Sequence, residues 1–240
     1  HILPEEYIPK NFDLFEILRV SYKATWMPER LTQEDLKILR IIYESEVKVV
    51  DSLIGRFMEE LHNEIEDNFM LIITSDHGEG LGEHNRIGHG NSLCEEIIHV
   101  PLIVYAPSCN LKRGIEVKIP VSHLDILPTI CDMVSIKPFG LFQGRSLFSF
   151  IENEKSTYSY NDTKRWIISE HLSKNVIRYS LRGKTLKLIL TYFSKRKRIM
   201  VEIYDLTKDP LEKNNILEEV NKSRLCQLTK LMDSLRRHIR

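Results

Sequence analysis

Asp76-His77-Gly78-Glu79 follows directly on the apolar run Phe69-Met-Leu-Ile-Ile-Thr-Ser75. A carboxylate beside an imidazole suits a hard or borderline divalent cation. The apolar run reads as a buried strand, and in α/β sheets ligands bind beyond the carboxyl ends of the strands. The stretch from Gly78 to Gly90 holds five of the chain's ten glycines, together with Glu79, Glu83, His84 and His89. A glycine-rich turn with a surface Asp-His pair is the plainer alternative. The further acid and two further histidines bring the metal reading level with it. Two protein ligands fall short of the four or more of a dedicated site, so other ligands must come from elsewhere.

The elements that position this loop follow from hydrophobic spacing. Residues 1–30, with Pro4, Pro9 and Pro28, read as irregular. Thr32 caps a long helix, with Asp35 as an acidic variant of the capping box. Leu36, Leu39, Ile42, Tyr43, Val47, Val50, Leu53, Ile54, Phe57 and Leu61 then recur at helical spacing. A polar turn, His62–Asn68, leads into the strand before Asp76. Beyond the glycine loop, Cys94–His99 reads as a short helical turn and Val100–Ala106 as a second buried strand, with Pro101 near its start. Val117–Val121 reads as a short extended piece. Ser122-His-Leu-Asp125 opens a helix, with Pro128 in its first turn, that runs to about Val134.

The character changes near residue 140, which divides the chain into a 1–140 domain and a 141–240 α+β subdomain. Gly140–Ser146 is a loop and Asn153–Lys164 is polar. Arg165–His171, Val176–Tyr192 (broken at Gly183) and Arg198–Asp205 are β-rich and read as antiparallel hairpins. The basic run Lys195-Arg-Lys-Arg198 fits a hairpin tip, and an amphipathic helix spans about Asn221–Ile239. The expected fold class is α/β: a layered α/β/α domain with a mostly parallel sheet, present in part, plus a small C-terminal antiparallel sheet with a packed helix.

Formal net charge is zero over 240 residues, so no global field favours nucleic acid. No apolar run approaches the roughly 18 residues of a membrane helix. No secretory signal is visible in the residues given, which begin with His1 rather than Met. The compartment is left open, with the cytoplasm slightly favoured. Cys94, Cys109, Cys131 and Cys226 form no C-x-x-C pair, so a zinc knuckle is not expected.

Several motifs in order resemble the sulfatase family, within the alkaline-phosphatase-like superfamily. They are Ile72-Ile-Thr-Ser-Asp-His-Gly-Glu79, Leu81-Gly-Glu-His84, Gly88-His-Gly90 and Glu95-Glu-Ile-Ile-His-Val-Pro-Leu-Ile103. Tyr43-Glu-Ser-Glu-Val47 and Ser122-His-Leu-Asp-Ile-Leu-Pro-Thr129 agree, as do Gln143-Gly-Arg-Ser-Leu147 and Ile203-Tyr-Asp-Leu-Thr-Lys-Asp-Pro-Leu-Glu212. The similarity covers about residues 30–220.

The resemblance implies metal-dependent hydrolysis of sulfate esters around one divalent cation, calcium first and manganese or zinc as alternatives. Asp76 and His77 match the family's metal pair. His89 stands where the family often has lysine, and it could protonate a departing alkoxide. A histidine there also occurs in phosphonate and phosphodiester hydrolases and phosphoethanolamine transferases of the superfamily, which are the alternative reading. Glu79, Glu83 and His84 would orient the site or shape the loop; His99 and His123 read as structural.

The family's nucleophile lies in C-x-P-x-R or S-x-P-x-R, oxidised to formylglycine in true sulfatases. The nearest string here, Trp26-Met-Pro-Glu-Arg30, has tryptophan at that place. His1 before Leu3-Pro-Glu-Glu-Tyr7 is only a faint echo of a family histidine. These residues therefore read as the C-terminal portion of such an enzyme, with formylglycine expected in an N-terminal half. Alone they would be inactive. A non-catalytic binding subunit is the reading from another class. The expected partners are a small-molecule or glycan sulfate or phosphate ester, and either that N-terminal half or a second copy.

Overall fold

A computed structural model describes Tyr7, residues 13–109, 111, 114–137, 140–152 and 165–239. His1, Leu3–Glu6 and the polar tract up to Lys164 lie outside the described residues. The chain forms two compact units. One holds the described residues up to Gly90 together with His99–Ser108, and the other holds Asn91–Ile98 and the described residues from Cys109 onward.

In the first unit a helix stands within the 1–30 stretch where irregular chain was expected. α1 spans Leu14–Trp26, capped by Asp13, whose carboxylate accepts from the Phe15 N–H at 3.2 Å. The prolines flank this stretch rather than interrupt it. Its inner face, Ile17 and Val20, is buried, and Val20 packs with Ile38 and Leu39 of the next helix. α2 spans Gln33–Ile65 and opens with the expected box: Thr32 Oγ accepts from Asp35 N–H, and Asp35 accepts from Thr32 N–H at 2.9 Å. Lys23 and Arg19 of α1 also reach Asp35, each at 2.9 Å. α2 runs three residues past the expected turn at His62. That ring packs edge-on to Phe69 and Tyr105, which holds the last turn in place.

β1 (Leu71–Thr74) pairs with β4 (Leu102–Tyr105), Leu71 opposite Tyr105 and Thr74 opposite Leu102. Between them lie β2 (Gly80–Leu81), β3 (Ile87–Gly88) and α3 (Glu95–Ile98). The α/β class stands, but β1 and β4 run antiparallel, unlike the mostly parallel sheet expected. The one α-helix in their connection is the four-residue α3, not the crossover helix that a parallel pair uses.

In the second unit, Val117–Val121 pairs with no strand among the described residues. A capped turn at His123–Asp125 leads into α4 (Ile126–Met133). Asp125 is fully buried and bound in a two-pronged pair by Arg165, at 2.6 and 2.7 Å. Gly144 passes so close that a Cβ there would lie 1.8 Å from the Leu124 carbonyl oxygen, so no side chain fits. α5 is the short Phe148–Glu152.

β5 (Ile167–Leu172), β6 (Val176–Arg182), β7 (Leu186–Phe193) and β8 (Arg198–Asp205) form the expected antiparallel sheet in sequential order. The basic run falls at the β7–β8 turn. Period-2 alternation sends Tyr179, Leu181, Leu188 and Ile203 to one face, where Leu228 and Met232 of α6 (Lys222–Ile239) cover them. On the opposite face Ile189 and Tyr204 pack against Cys94. Among the described residues no helix is long and apolar enough to cross a membrane.

Candidate functional site

β1 delivers Ser75, Asp76 and His77 at its carboxyl end. Local hydrogen bonds fold this segment back on itself. Ser75 Oγ donates to the His77 carbonyl at 2.7 Å, and Asp76 Oδ1 accepts from the His77 N–H at 3.0 Å. Asp76 Oδ2 then lies 3.7 Å from His77 Nε2. The two candidate ligands therefore sit together, with the carboxylate 87% exposed.

The tautomer of His77 follows from its other contact. Nδ1 lies 2.9 Å from the Gly78 carbonyl oxygen, which can only accept. Nδ1 therefore carries the proton, and in the neutral ring Nε2 presents its lone pair on the side of Asp76. Metal-bound histidines are commonly oriented in this way, by a carbonyl on the ring nitrogen that does not bind.

The glycine loop returns His89 to the same place. Its ring stacks on His77, centroids 4.0 Å apart and 24° from parallel. Glu79 Oε2 is 3.2 Å from His89 Nδ1. A carboxylate there holds the proton on Nδ1 and leaves Nε2 to exchange one with a bound molecule. Asp76, His77, Glu79 and His89 thus form one group, four residues that a linear reading could only place in the same loop.

The loop keeps this shape through a hairpin. Gly80 pairs with Gly88 and Leu81 with Ile87. Gly82 takes φ 111°, open to glycine and strained for other residues. Glu83 accepts from the Leu81 N–H at 2.7 Å and pairs with Arg40 of α2, which ties the hairpin to the helix. Glu83 is thus loop-shaping. His84 lies in the turn between β2 and β3 with φ 52°. Arg40 and Ser75 were not singled out from sequence; Ser75 had a signal, as the residue between strand and acid.

The chemistry of the donor set fits a divalent cation in part. Asp76 offers carboxylate oxygen and His77 an imidazole lone pair. Two donors make an incomplete shell for calcium, manganese or zinc.

The family model described as Sulfatase matches residues 42–136. Arylsulfatase K of Danio rerio is 30% identical over 235 residues, covering 95% of this chain and 43% of its own length. The uncharacterized sulfatase YidJ of Escherichia coli (strain K12) is 30% identical over 172 residues, covering 71% of this chain and 32% of its own. The solved structure of BT4656 in complex with its substrate D-glucosamine-2-N,6-O-disulfate superposes with a TM-score of 0.70 at 25% identity. That match covers 90% of this chain and 45% of the solved one. The chain spans less than half the length of each of these proteins.

Proposed function

This chain belongs to the sulfatase family, and we propose that it supplies part of the active site of a hydrolase acting on sulfate esters of a glycan. The observation that carries this reading is the Asp76–His77 pair at the tip of β1 with His89 stacked upon it. Asp76 and His77 would hold one divalent cation, calcium by preference, and the remaining ligands lie outside this pair. When bound, that cation offsets the charge that gathers on the non-bridging oxygens as the ester is displaced.

The chain's own residues do the rest. The Gly78 carbonyl fixes the His77 ring. Glu79 orients His89 through Nδ1, and His89 Nε2 delivers a proton to the departing alkoxide. Glu83 and Arg40 hold the hairpin that carries His89. No C/S-x-P-x-R string occurs in the sequence given, so the nucleophile comes from outside it, and the 240 residues alone hydrolyse nothing. The substrate in the solved relative, a doubly sulfated glucosamine, favours a sulfated amino sugar over a phosphate ester.

The test is turnover by the complete gene product of a chromogenic sulfate and a sulfated glucosamine, with a phosphodiester alongside. Calcium-dependent sulfate release is expected. His89→Ala should lower its rate by roughly 100- to 10,000-fold, and the 240 residues alone should show none. Preference for the phosphodiester, metal-dependent turnover by the 240 residues, or full activity after His89→Ala would each overturn this function.

A further inference from the structure

One end of the antiparallel sheet in the second unit is strongly basic. The thirty residues 171–200 carry nine lysines and arginines and no aspartate or glutamate, in a chain whose formal net charge is zero. Arg182 and Lys187 are answered by Glu95. Lys174, Lys195, Arg196, Lys197 and Arg198 are all exposed, and among the described residues no carboxylate pairs with any of them. These five gather where the β5–β6 and β7–β8 turns lie side by side. Ser194 fastens one turn to the other: its N–H donates to the Asn175 carbonyl at 3.0 Å and its hydroxyl to the Lys174 carbonyl at 3.3 Å. Lys197 holds φ 45°, a left-handed conformation that favours glycine, so a cation is kept where the turn is easier without a side chain. Behind the turns one cross-strand row runs Leu172, Ile177, Tyr192, Ile199, and its two outer members are 59% and 60% exposed.

We infer that this end of the sheet docks on a lipid surface that carries acidic headgroups. The cations and the apolar pair choose that partner together. Each Lys or Arg gains from the negative potential of an acidic leaflet, and its long stem lets the charge stay at headgroup level while neighbouring apolar side chains go deeper. Leu172 and Ile199 gain by leaving water at the headgroup boundary. A nucleic acid or a sulfated glycan would satisfy the cations and leave both apolar side chains wet. Stacking on bases also calls for open aromatic faces, and Tyr192 and Phe193 are half-buried here. No described helix is long and apolar enough to cross a membrane, so the contact is peripheral. It needs no residue of the Asp76–His77 site.

The test is co-sedimentation of the complete gene product with vesicles of phosphatidylcholine alone and with vesicles holding about 30% phosphatidylserine. Binding to the acidic vesicles only is expected, weakening as salt is raised. Lys195→Glu with Arg196→Glu and Arg198→Glu should lower vesicle affinity at least about 100-fold and leave the urea midpoint unchanged. Leu172→Ser with Ile199→Ser should lower it about tenfold, with heparin binding unchanged. No binding to acidic vesicles, equal binding to both kinds, or full binding by the charge variant overturns the inference. Vesicle binding that survives loss of the apolar pair would mark a plain polyanion site for glycan or nucleic acid, and overturns it too.

Discussion

Two charged clusters sit at opposite extremes of burial. In the glycine loop, Asp76 and His89 stand largely in water and His77 is half-buried beside them. In the second unit, Lys187 is fully buried between Glu95 at 3.0 Å and Glu212 at 2.7 Å, with Arg182 beside Glu95 at 3.4 Å. Burial alone would raise the Glu95 carboxyl, yet Lys187 and Arg182 bring it below the usual range. Burial holds Glu212 above that range, with Lys187 only partly opposing it. The buried cluster is closed, every charge answered from within its own unit, and it serves packing. The exposed cluster is open, with donors left for something else to take. Here an open set of donors, rather than a buried ionic network, marks the candidate chemistry.

Breaking the closed cluster should have the largest effect. Lys187→Ala leaves two buried carboxylates without their cation and should cost about 3–5 kcal/mol, read as a shift in urea midpoint. Replacing Lys187, Glu95 and Glu212 together by Met, Gln and Gln should recover most of that loss. Next comes the junction of α1 and α2. The Thr32 N–H and then the Lys23 ammonium hold the Asp35 carboxyl well below the usual carboxylate range, against its burial. A lowered folded-state value means a stabilisation present above about pH 4 and lost as pH falls further. Asp35→Asn should cost about 1–2 kcal/mol at neutral pH and flatten the acid limb of stability against pH. The smallest effect belongs to the open cluster. Asp76→Ala should change folding stability by less than about 0.5 kcal/mol while removing calcium binding to the complete gene product, measured by calorimetry. A large stability loss there would erase the contrast.

What the sequence revealed and hid follows the same division. The capping box at Thr32 and Asp35, the hairpins around Gly183 and Lys195–Arg198, and the acid-imidazole pair after an apolar run are local patterns, and local patterns survive a linear reading. α1 was hidden because Pro4, Pro9 and Pro28 make residues 1–30 read as irregular chain, although none of them lies inside Leu14–Trp26. The antiparallel sense of β1 and β4 is set by the path of the chain between them, which neither strand encodes. Lys187, in a strand, reads as a surface residue by type. Its partners lie 92 and 25 residues away and become visible only in three dimensions. The stacking of His89 on His77 is likewise a product of the hairpin between them.

Glu95, in the segment Asn91–Ile98, takes partners that come much later in the chain: Arg182 is 87 residues beyond it, Lys187 is 92 beyond it and Glu212 is 117 beyond it. A ribosome adding roughly 5–20 residues per second needs about 5–20 s to reach Lys187 from Glu95. Throughout that interval Cys94 awaits Ile189 and Tyr204, the sheet residues against which it packs. Translation speed across β5–β7 therefore sets how long a nascent chain is open to chaperones or to aggregation.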